Sequence, residues 1–491
     1  MNSVHRSIFY SAIERYAGLG LFFVSTAVLS RLLSPSEFGT YAVVNALTAV
    51  ITASFQEFGG ANYLIQKREL SQGSIRTAFT ITLALSAIIG TILYLSAGIL
   101  SAFFEQDSLT SGIKVTALNF LFMPFAGTIS ALFRRDMDFG KLAICNLIAG
   151  SVGTLVSITL AILHFSYMAP IWGGLATNLT LTLIFMAWYR NFGAFRPSLS
   201  EYRDVIRFGL YSSGISVINV FYSLAPQIFL AKVLDFASVG LYSRATNLTQ
   251  TFDKLVLQVL NPIVMPAIAA QRNAEADLKR VYLDAIQLLS VVQWPFLIFI
   301  AVMARPIIFI WLGETWLEIV PLVRVLCVAN LAIFAACLSY PVFVAVGSVR
   351  DALISSLVSL PPSLLVILCA SFFGVHAVAA SALLTLPFQT AVAMLFIGRH
   401  LSLGFGDIAR ALLKSMVVTT ATVSGVLVCA WLIETGIASS LVGLTLALCA
   451  APLCWWLGLA FTGHPLLRQL QHAAGGLAWI APRLMPGRPV L

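Results

Sequence analysis

Long apolar runs separated by short polar segments recur along the whole chain. An α-helix needs about 20 apolar residues to cross the hydrocarbon core of a bilayer, and a sliding hydropathy window finds fourteen such runs. They lie at about 8–30, 38–65, 77–103, 108–132, 142–165, 168–189, 208–231, 238–268, 284–304, 319–345, 351–372, 374–398, 410–433 and 437–462. The pattern predicts an all-α polytopic membrane protein with about 14 transmembrane helices.

An internal repeat organises these helices. Residues 31–42, RLLSPSEFGTYA, align with residues 232–243, KVLDFASVGLYS, at an offset of 201 that places Gly39 on Gly240 and Tyr41 on Tyr242. The two copies start six helices apart and on the same side, so the repeats are parallel and should be related by an axis along the membrane normal. We predict a six-helix lobe at 1–189, a second at 208–398, and extra helices 13 and 14 within 399–462.

Two polar segments flank the second lobe and its extra helices. In the linker 190–207, Ser198 and Glu201 have the spacing of a capping box, which predicts a short amphipathic helix on the cytoplasmic surface. The tail 463–491 carries three arginines and no acidic residue, which suits an anionic leaflet or a disordered basic tail.

Composition agrees with a membrane protein and excludes soluble classes. Hydrophobic residues make up 59% of the chain and charged residues 10%, with a mean hydropathy of +0.92, whereas soluble domains are about 45–50% apolar and about 25% charged. A soluble enzyme or nucleic-acid-binding module is therefore excluded despite the net charge of +9. Of the 29 cations, 21 fall on one side and three on the other, which predicts cytoplasmic N- and C-termini.

Motifs for covalent chemistry are missing from the sequence. We find no Cys-x-x-Cys pair, no glycine-rich phosphate loop and no Gly-x-Ser-x-Gly, and we predict no metal and no cofactor. The outer loops are too short for the acidic water-exposed site of a membrane glycosyltransferase or glycan polymerase. The protein is therefore expected to be a transporter and not an enzyme.

Charges inside the membrane indicate where a substrate would bind. A Lys or Arg at a helix centre costs about 2.5–3.5 kcal/mol on insertion scales, and Lys254 lies near the middle of the eighth span. Steps of three and four residues place six polar side chains on one helical stripe: Arg244, Asn247, Thr251, Lys254, Gln258 and Asn261. Such a stripe faces water or a partner helix, and not lipid.

The first and seventh spans add polar residues to this predicted cavity. Arg15, Asn219 and Tyr222 complete the substrate-binding set, and three acids are assigned to a gate or coupling site: Glu14, Glu57 and Asp253. Buried ion pairs such as Glu57 with Lys254 are the structural alternative. Cations outnumber acids in the spans, and this excess favours an anion such as a phosphate or pyrophosphate headgroup.

Two stretches carry a family resemblance. RLLSPSEFGTYAVVNALTAVITASFQEFGGANYLIQK (31–67) and ALFRRDMDF (131–139) resemble the polysaccharide transporter (Wzx/WzxC-type lipid-linked oligosaccharide flippase) family of the MOP superfamily. The resemblance implies alternating-access flipping of undecaprenyl-pyrophosphate-linked oligosaccharides, the precursors of exopolysaccharide, O-antigen or capsule, across a bacterial inner membrane. In related flippases, cavity arginines of spans one and eight would correspond to Arg15 and Arg244.

The resemblance also implies partners and a rival function. Lipid-linked oligosaccharide, membrane lipids, a glycan polymerase and the export machinery are the expected partners, with no nucleic acid among them. The alternative is a MATE-like cation-coupled multidrug antiporter of the same architecture. Its cavity should be acidic, whereas the predicted cavity here is basic.

Overall fold

The computed structural model describes residues 3–58, 61–67, 70–189, 192–257, 278–339, 342–343 and 348–471. Every regular element within these ranges is a helix. The described residues form two compact units. The first draws on Met1–Asn247, Trp311–Ile319 and Pro362–Ser381, and the second on Leu248–Ile310, Val320–Pro361 and Ala382–Leu491. The all-α class predicted from the apolar runs is confirmed, and the lobe boundaries predicted from the repeat stay a prediction.

The first unit begins with ten helices. They are α1 Ser3–Leu32, α2 Pro35–Phe58, α3 Ala61–Gln66, α4 Gln72–Phe103, α5 Ser108–Ala117, α6 Asn119–Arg135, α7 Phe139–Ile162, α8 Met168–Trp188, α9 Tyr202–Val233 and α10 Phe236–Thr249, of which the last continues into the second unit. Short 3-10 helices at Phe192–Phe195 and Glu314–Ile319 also belong to it. The predicted fourth span is thus built from two helices, α5 and α6.

The second unit contains the remaining helices. After a π-helical turn at Asp253–Leu257 come α11 Leu278–Val302, α12 Ala304–Trp311, α13 Val320–Asn330, a 3-10 helix at Leu331–Leu338, α14 Val349–Ser371, α15 Val375–Leu401, α16 Phe405–Glu434 and α17 Ser440–Thr462. The C-terminal end of α14 and the N-terminal end of α15, together Pro362–Ser381, belong to the first unit. The extra helices α16 and α17 pack on α11, where Val291, Val418 and Leu459 are fully buried together.

Eleven helices of the described part are long and apolar enough to cross a membrane. The three predicted spans outside this set are the second, seventh and eighth, which correspond to α2, α9 and α10. The sequence analysis predicts cavity residues on the seventh and eighth spans and places Glu57 on the second. The chain is a multi-pass membrane protein, and its total of fourteen spans stays a prediction.

The capping box predicted at Ser198 and Glu201 is not formed. No side-chain hydrogen bond caps α9 at Glu201, and the helix runs unbroken from Tyr202 to Val233, so residues 202–207 are the first turns of a long helix. The Glu201 carboxylate instead accepts hydrogen bonds from Lys67 Nζ, from Ser74 Oγ at 2.7 Å and from Tyr63 OH at 3.0 Å. An ammonium donor more than a hundred residues away binds this carboxylate more strongly than a cap would.

Candidate functional site

Arg244, the first residue of the predicted stripe, lies in an aromatic pocket of the first unit. Its side chain is 3% exposed, and the guanidinium carbon stands 3.5 Å from the ring centre of Phe38 and 5.3 Å from that of Trp316. The two rings meet edge to face at 5.9 Å, and Tyr41 packs on Phe38 at 5.6 Å. We call Phe38, Tyr41 and Trp316 the aromatic cage. A guanidinium over aromatic faces gains cation–π stabilisation in place of water.

The guanidinium of Arg244 has unused hydrogen-bonding capacity. Its Nε and Nη2 atoms are buried and have no acceptor in the part of the chain that the structure describes. Within the same residues no carboxylate forms an ion pair with it. A buried charge without a countercharge is costly, and cation–π contacts offset only about 2 kcal/mol of that cost. The arrangement suits an anion that would bring acceptors to these two nitrogens.

Trp316 reaches the cage from the segment between α12 and α13. The positive φ of Gly313, 102°, turns the chain there into the 3-10 helix Glu314–Ile319. The indole Nε1 of Trp316 then donates to the carbonyl oxygen of Ser30 at 2.7 Å, and that of Trp311 donates to the carbonyl oxygen of Phe23 at 3.0 Å. Two tryptophans of one short segment are therefore anchored to the last turns of α1.

The sequence reasoning missed the cage. Phe38 and Tyr41 stand in the repeated stretch 31–42, whose pattern predicts a repeat but no aromatic site. Trp316 falls in a predicted outer loop. The available signal was the pair of tryptophans in that loop, since a large indole is rarely left in water without a packing partner.

The described part of the stripe departs from one α-helical register near Asp253. α10 ends at Thr249, and Asp253 and Lys254 sit in the π-helical turn Asp253–Leu257. The steps of three and four residues assume a continuous α-helix through Asn261, but Gln258 and Asn261 lie outside the described residues, so the single stripe stays a prediction. Single π turns inside helices occur frequently at functional sites, and this one holds the central cation of the span.

The predicted site residues divide between the two units. Arg15, Tyr222, Arg244 and Asn247 belong to the first unit, and Thr251, Asp253 and Lys254 to the second. Thr251 is buried, whereas the other members apart from Arg244 are half-buried. Gln258 lies outside the described residues, as do the side chains of Asn219 and Glu57. The Glu57–Lys254 ion pair stays the structural alternative.

Glu14, assigned to the gate, has a neutral partner in this structure. Asn146 of α7 donates its Nδ2 hydrogen to Glu14 Oε1. On the same face of α1, the Tyr10 ring packs against Gly140, where an added Cβ would meet the ring at 3.5 Å. Glu14 therefore lies at the contact between α1 and α7 within the first unit.

Comparison with known proteins places the chain in a family. A family model described as "Polysaccharide biosynthesis protein" matches residues 28–321. Lipopolysaccharide biosynthesis protein WzxC of Escherichia coli (strain K12) is 25% identical over 331 residues, 66% of each chain. Succinoglycan biosynthesis transport protein ExoT of Rhizobium meliloti (strain 1021) is 23% identical over 334 residues, 67% of this chain and 66% of that protein. The chain spans about two thirds of the length of these relatives.

Solved structures share the fold. Lipid II flippase MurJ in an inward closed conformation superposes with a TM-score of 0.72 over 92% of this chain and 99% of that one, at 10% identity. An inward-facing MATE transporter of the MOP superfamily gives 0.65 over 78% and 94%, at 15% identity. The MOP-type fold implied by the family resemblance is confirmed, and the chain belongs to the polysaccharide biosynthesis protein family.

Proposed function

We propose that this member of the polysaccharide biosynthesis family is a flippase for undecaprenyl-pyrophosphate-linked oligosaccharides. It would move precursors of exopolysaccharide, O-antigen or capsule from the cytoplasmic to the outer leaflet by alternating access, without covalent chemistry. The family assignment and the names of the relatives, which include lipopolysaccharide and succinoglycan biosynthesis proteins, support this function. A lipid II flippase of the same fold supports a lipid-linked substrate.

The observation that carries the proposal is the buried guanidinium of Arg244, two of whose nitrogens have no acceptor among the described residues. A pyrophosphate would supply acceptors for Nε and Nη2, which have none among the described residues, and hydrogen bonds between an arginine and a phosphate are charge-assisted. Arg15 and Lys254 are the further cations of the proposed headgroup site. Five neutral residues are proposed to bind sugar hydroxyls: Asn219, Tyr222, Asn247, Thr251 and Gln258.

Three acids are proposed to act in gating or coupling. Asp253 adjoins Lys254 in the π-helical turn, Glu14 accepts from Asn146, and Glu57 stands near the end of α2. A carboxylate held by a neutral amide can change partner during a conformational cycle at lower cost than one held in a buried ion pair.

The location and partners are proposals of the same kind. The cation distribution supports placement in a bacterial inner membrane with both termini in the cytoplasm. The repeat supports lobes at 1–189 and 208–398 that move against each other, joined by the linker 190–207. A glycan polymerase and export machinery are the expected protein partners because they consume the flipped precursor.

Replacement of the two cations tests the function. In a host that lacks its own copy of the gene, Arg244→Ala and Lys254→Ala should abolish export of the surface glycan while the protein stays abundant in the membrane. Lys254→Arg should keep part of the activity, since a mobile headgroup responds to charge. The matched control is Arg399→Ala, because Arg399 is exposed and also stacks on a phenylalanine, with its guanidinium carbon 5.2 Å from the ring centre of Phe396.

Three outcomes would contradict the proposal. Restored abundance and export in the Glu57→Ala, Lys254→Ala double variant would make Lys254 half of a structural ion pair. Normal glycan export in the Arg244→Ala variant would remove the headgroup site. Loss of drug resistance with unchanged glycan in the gene deletion would favour the MATE-like antiporter.

A further inference from the structure

The fourth span of each predicted lobe carries a basic residue at an equivalent position. An offset of 210 residues aligns Lys114 of α5 with Arg324 of α13, and each is followed by a valine. The residues just before them, Ile113 and Val323, are both fully buried. The sequence match is therefore also a match in burial, and the two cations are repeat equivalents.

Both cations stand on the outward face of their helix. Steps of three and four residues relate the members of one such face on each helix, Ser111, Lys114 and Leu118 on α5 and Pro321, Arg324 and Val328 on α13. Lys114 is half-buried and the other five residues are exposed. Both helices belong to spans that are long and apolar enough to cross a membrane, so this is the face that would border lipid.

Lys114 lies beside an aromatic ring and has no anionic partner. Its Nζ stands 5.3 Å from the ring centre of Tyr94 on α4, and Tyr94 is 47% exposed. Within the described residues no carboxylate forms an ion pair with Lys114. A cation over a tyrosine face gains cation–π stabilisation, and the ammonium and the phenol hydroxyl can both donate to an anion.

Arg324 is held at one end of its guanidinium. Its Nε donates to the carbonyl oxygen of Ala301 at 3.4 Å, in the last turn of α11, where a positive charge complements the helix dipole. In the part of the chain that the structure describes, this arginine forms no ion pair. The two Nη nitrogens point away from this bond in a planar fork, which matches the geometry of a phosphate.

We propose that Lys114 and Arg324 each bind the phosphate of an anionic phospholipid in the outer leaflet. Lys114 lies about 9 Å along α5 from its start at Ser108, and Arg324 about 6 Å along α13 from Val320. From such a depth, long basic side chains extend along the helix to the headgroups. The choice of leaflet uses the proposed topology, whereas the binding does not depend on the transported substrate.

Lys232 provides a matched contrast on the same predicted side of the membrane. Its Nζ also lies over an aromatic ring, 5.0 Å from the ring centre of Phe103. Unlike Lys114, it pairs with Glu105 at 2.9 Å and donates to the carbonyl oxygen of Phe103 at 2.7 Å. Protein groups already satisfy this ammonium, so a lipid phosphate would gain less there.

Native mass spectrometry of the purified protein in a non-ionic detergent, titrated with phosphatidylglycerol, tests the proposal. We expect two binding events that are tighter than those of phosphatidylethanolamine with the same acyl chains. Lys114→Ala and Arg324→Ala should each weaken one event about fivefold, which corresponds to about 1 kcal/mol and to the attraction of one basic residue for an anionic lipid surface. The double variant should weaken both events, and Lys114→Arg should retain binding.

The controls separate a lipid site from a general charge effect. Lys232→Ala should leave both events unchanged. Inorganic phosphate at the lipid concentration should not displace phosphatidylglycerol, because acyl chains on the apolar face hold the lipid. Lys114→Gln and Arg324→Gln replace the alanine variants if those fail to fold, and should show the same weakening.

Four results would overturn the lipid sites. They are equal phosphatidylglycerol affinity in the parent and the double variant, equal weakening by Lys232→Ala, equally tight phosphatidylethanolamine, and displacement by inorganic phosphate, which would indicate a site for a small anion. A reporter fusion after Asp107 that reports cytoplasm would overturn the assignment to the outer leaflet. Because no glycan is measured, failure of the flippase proposal leaves these results readable.

Discussion

The anchor of the linker at Glu201 allows a quantitative prediction. The carboxylate accepts from Lys67, Ser74 and Tyr63 through Oε2, and Ser71 Oγ donates to Oε1 at 3.2 Å. Glu201→Gln keeps the size of the side chain but removes the countercharge of Lys67 and replaces one acceptor by a donor. We expect the variant to fold and to lose stability in the first unit.

The size of the loss follows from the pKa. The hydrogen bond from Lys67, followed by that from Ser74, lowers the pKa of Glu201 from 4.5 to about 2. One pKa unit corresponds to about 1.36 kcal/mol, so the loss in the free energy of unfolding has an upper limit of about 3 kcal/mol. Because the side chain is 27% exposed, solvent weakens the pair, and we expect about 1–2 kcal/mol. At about 2 °C per kcal/mol for a unit of this size, the Tm should fall by about 2–4 °C.

The pH dependence has a definite sign. A carboxyl with a lower pKa in the folded than in the unfolded protein contributes its full stability above the unfolded value, here about 4.5. That contribution disappears as the pH falls toward 2, the folded pKa. The Tm difference between the parent protein and Glu201→Gln should therefore be full at pH 7 and should shrink progressively below about pH 4.5.

Tryptophan fluorescence of the purified protein in detergent measures these transitions. The matched control is Glu105→Gln, because Glu105 also pairs with a lysine, Lys232, at 2.9 Å, but its side chain is 81% exposed. It should show no measurable change in Tm. Equal Tm values for Glu201→Gln and the parent at pH 7 would refute the anchor. So would a difference that persists unchanged at pH 3.

Three further predictions concern the packing of Trp316, the membrane topology and the surface of α17. Trp316→Phe should lower the free energy of unfolding by about 1–2 kcal/mol through the lost hydrogen bond to Ser30, and Trp316→Ala should lower it by about 3–5 kcal/mol. Equal Tm shifts for the two variants would show that packing of the ring does not contribute to stability. Reporter fusions after Leu70 should report cytoplasm and those after Asp107 the outside, and an inverted result would reject the proposed topology. Cys449, exposed on α17, should react with lipid-soluble but not with water-soluble thiol reagents, since α17 is long and apolar enough to cross a membrane; rapid labelling by the water-soluble reagent would place Cys449 on a surface in contact with water.

The fold was largely predictable because apolar length and repetition are properties of contiguous sequence. Runs of about 20 apolar residues that cross a membrane form helices, and the sequence match at an offset of 201 residues indicates a repeated unit. The capping box failed because it depends on a distant residue, and the register near Lys254 changes locally. Glu201 had the spacing of a capping box, but Lys67 binds its carboxylate. The stripe through Lys254 assumed an α-helix, but the chain forms a π turn at Asp253–Leu257.

The candidate site could be predicted only in part. Arg244 was identified from the cost of a cation in the membrane, which is a property of one residue and its position along a helix. Phe38 and Trp316, which surround it, lie more than 70 residues from it in either direction along the chain. An aromatic side chain in an apolar sequence carries no local sign that a cation will pack on it.

Departures from the repeat point to these residues more directly. Gly39 and Gly240 bring the first turns of α2 and α10 into a symmetric crossing, because a Cβ on either glycine would overlap a carbonyl oxygen of the other helix, but the side chains beside this crossing differ. The equivalent of Arg244 is Val43 and that of Phe38 is Val239, and both valines are fully buried. The repeat equivalent of the Phe38–Arg244 contact is therefore a pair of apolar side chains, whose burial leaves no charge without a partner. At Phe38 and Arg244, by contrast, each helix carries one half of a cation–π pair. A buried guanidinium lowers stability unless a ligand completes its hydrogen bonds. The repeat therefore supplies a symmetric scaffold, and the asymmetric pair beside its crossing supplies the chemistry for an anion.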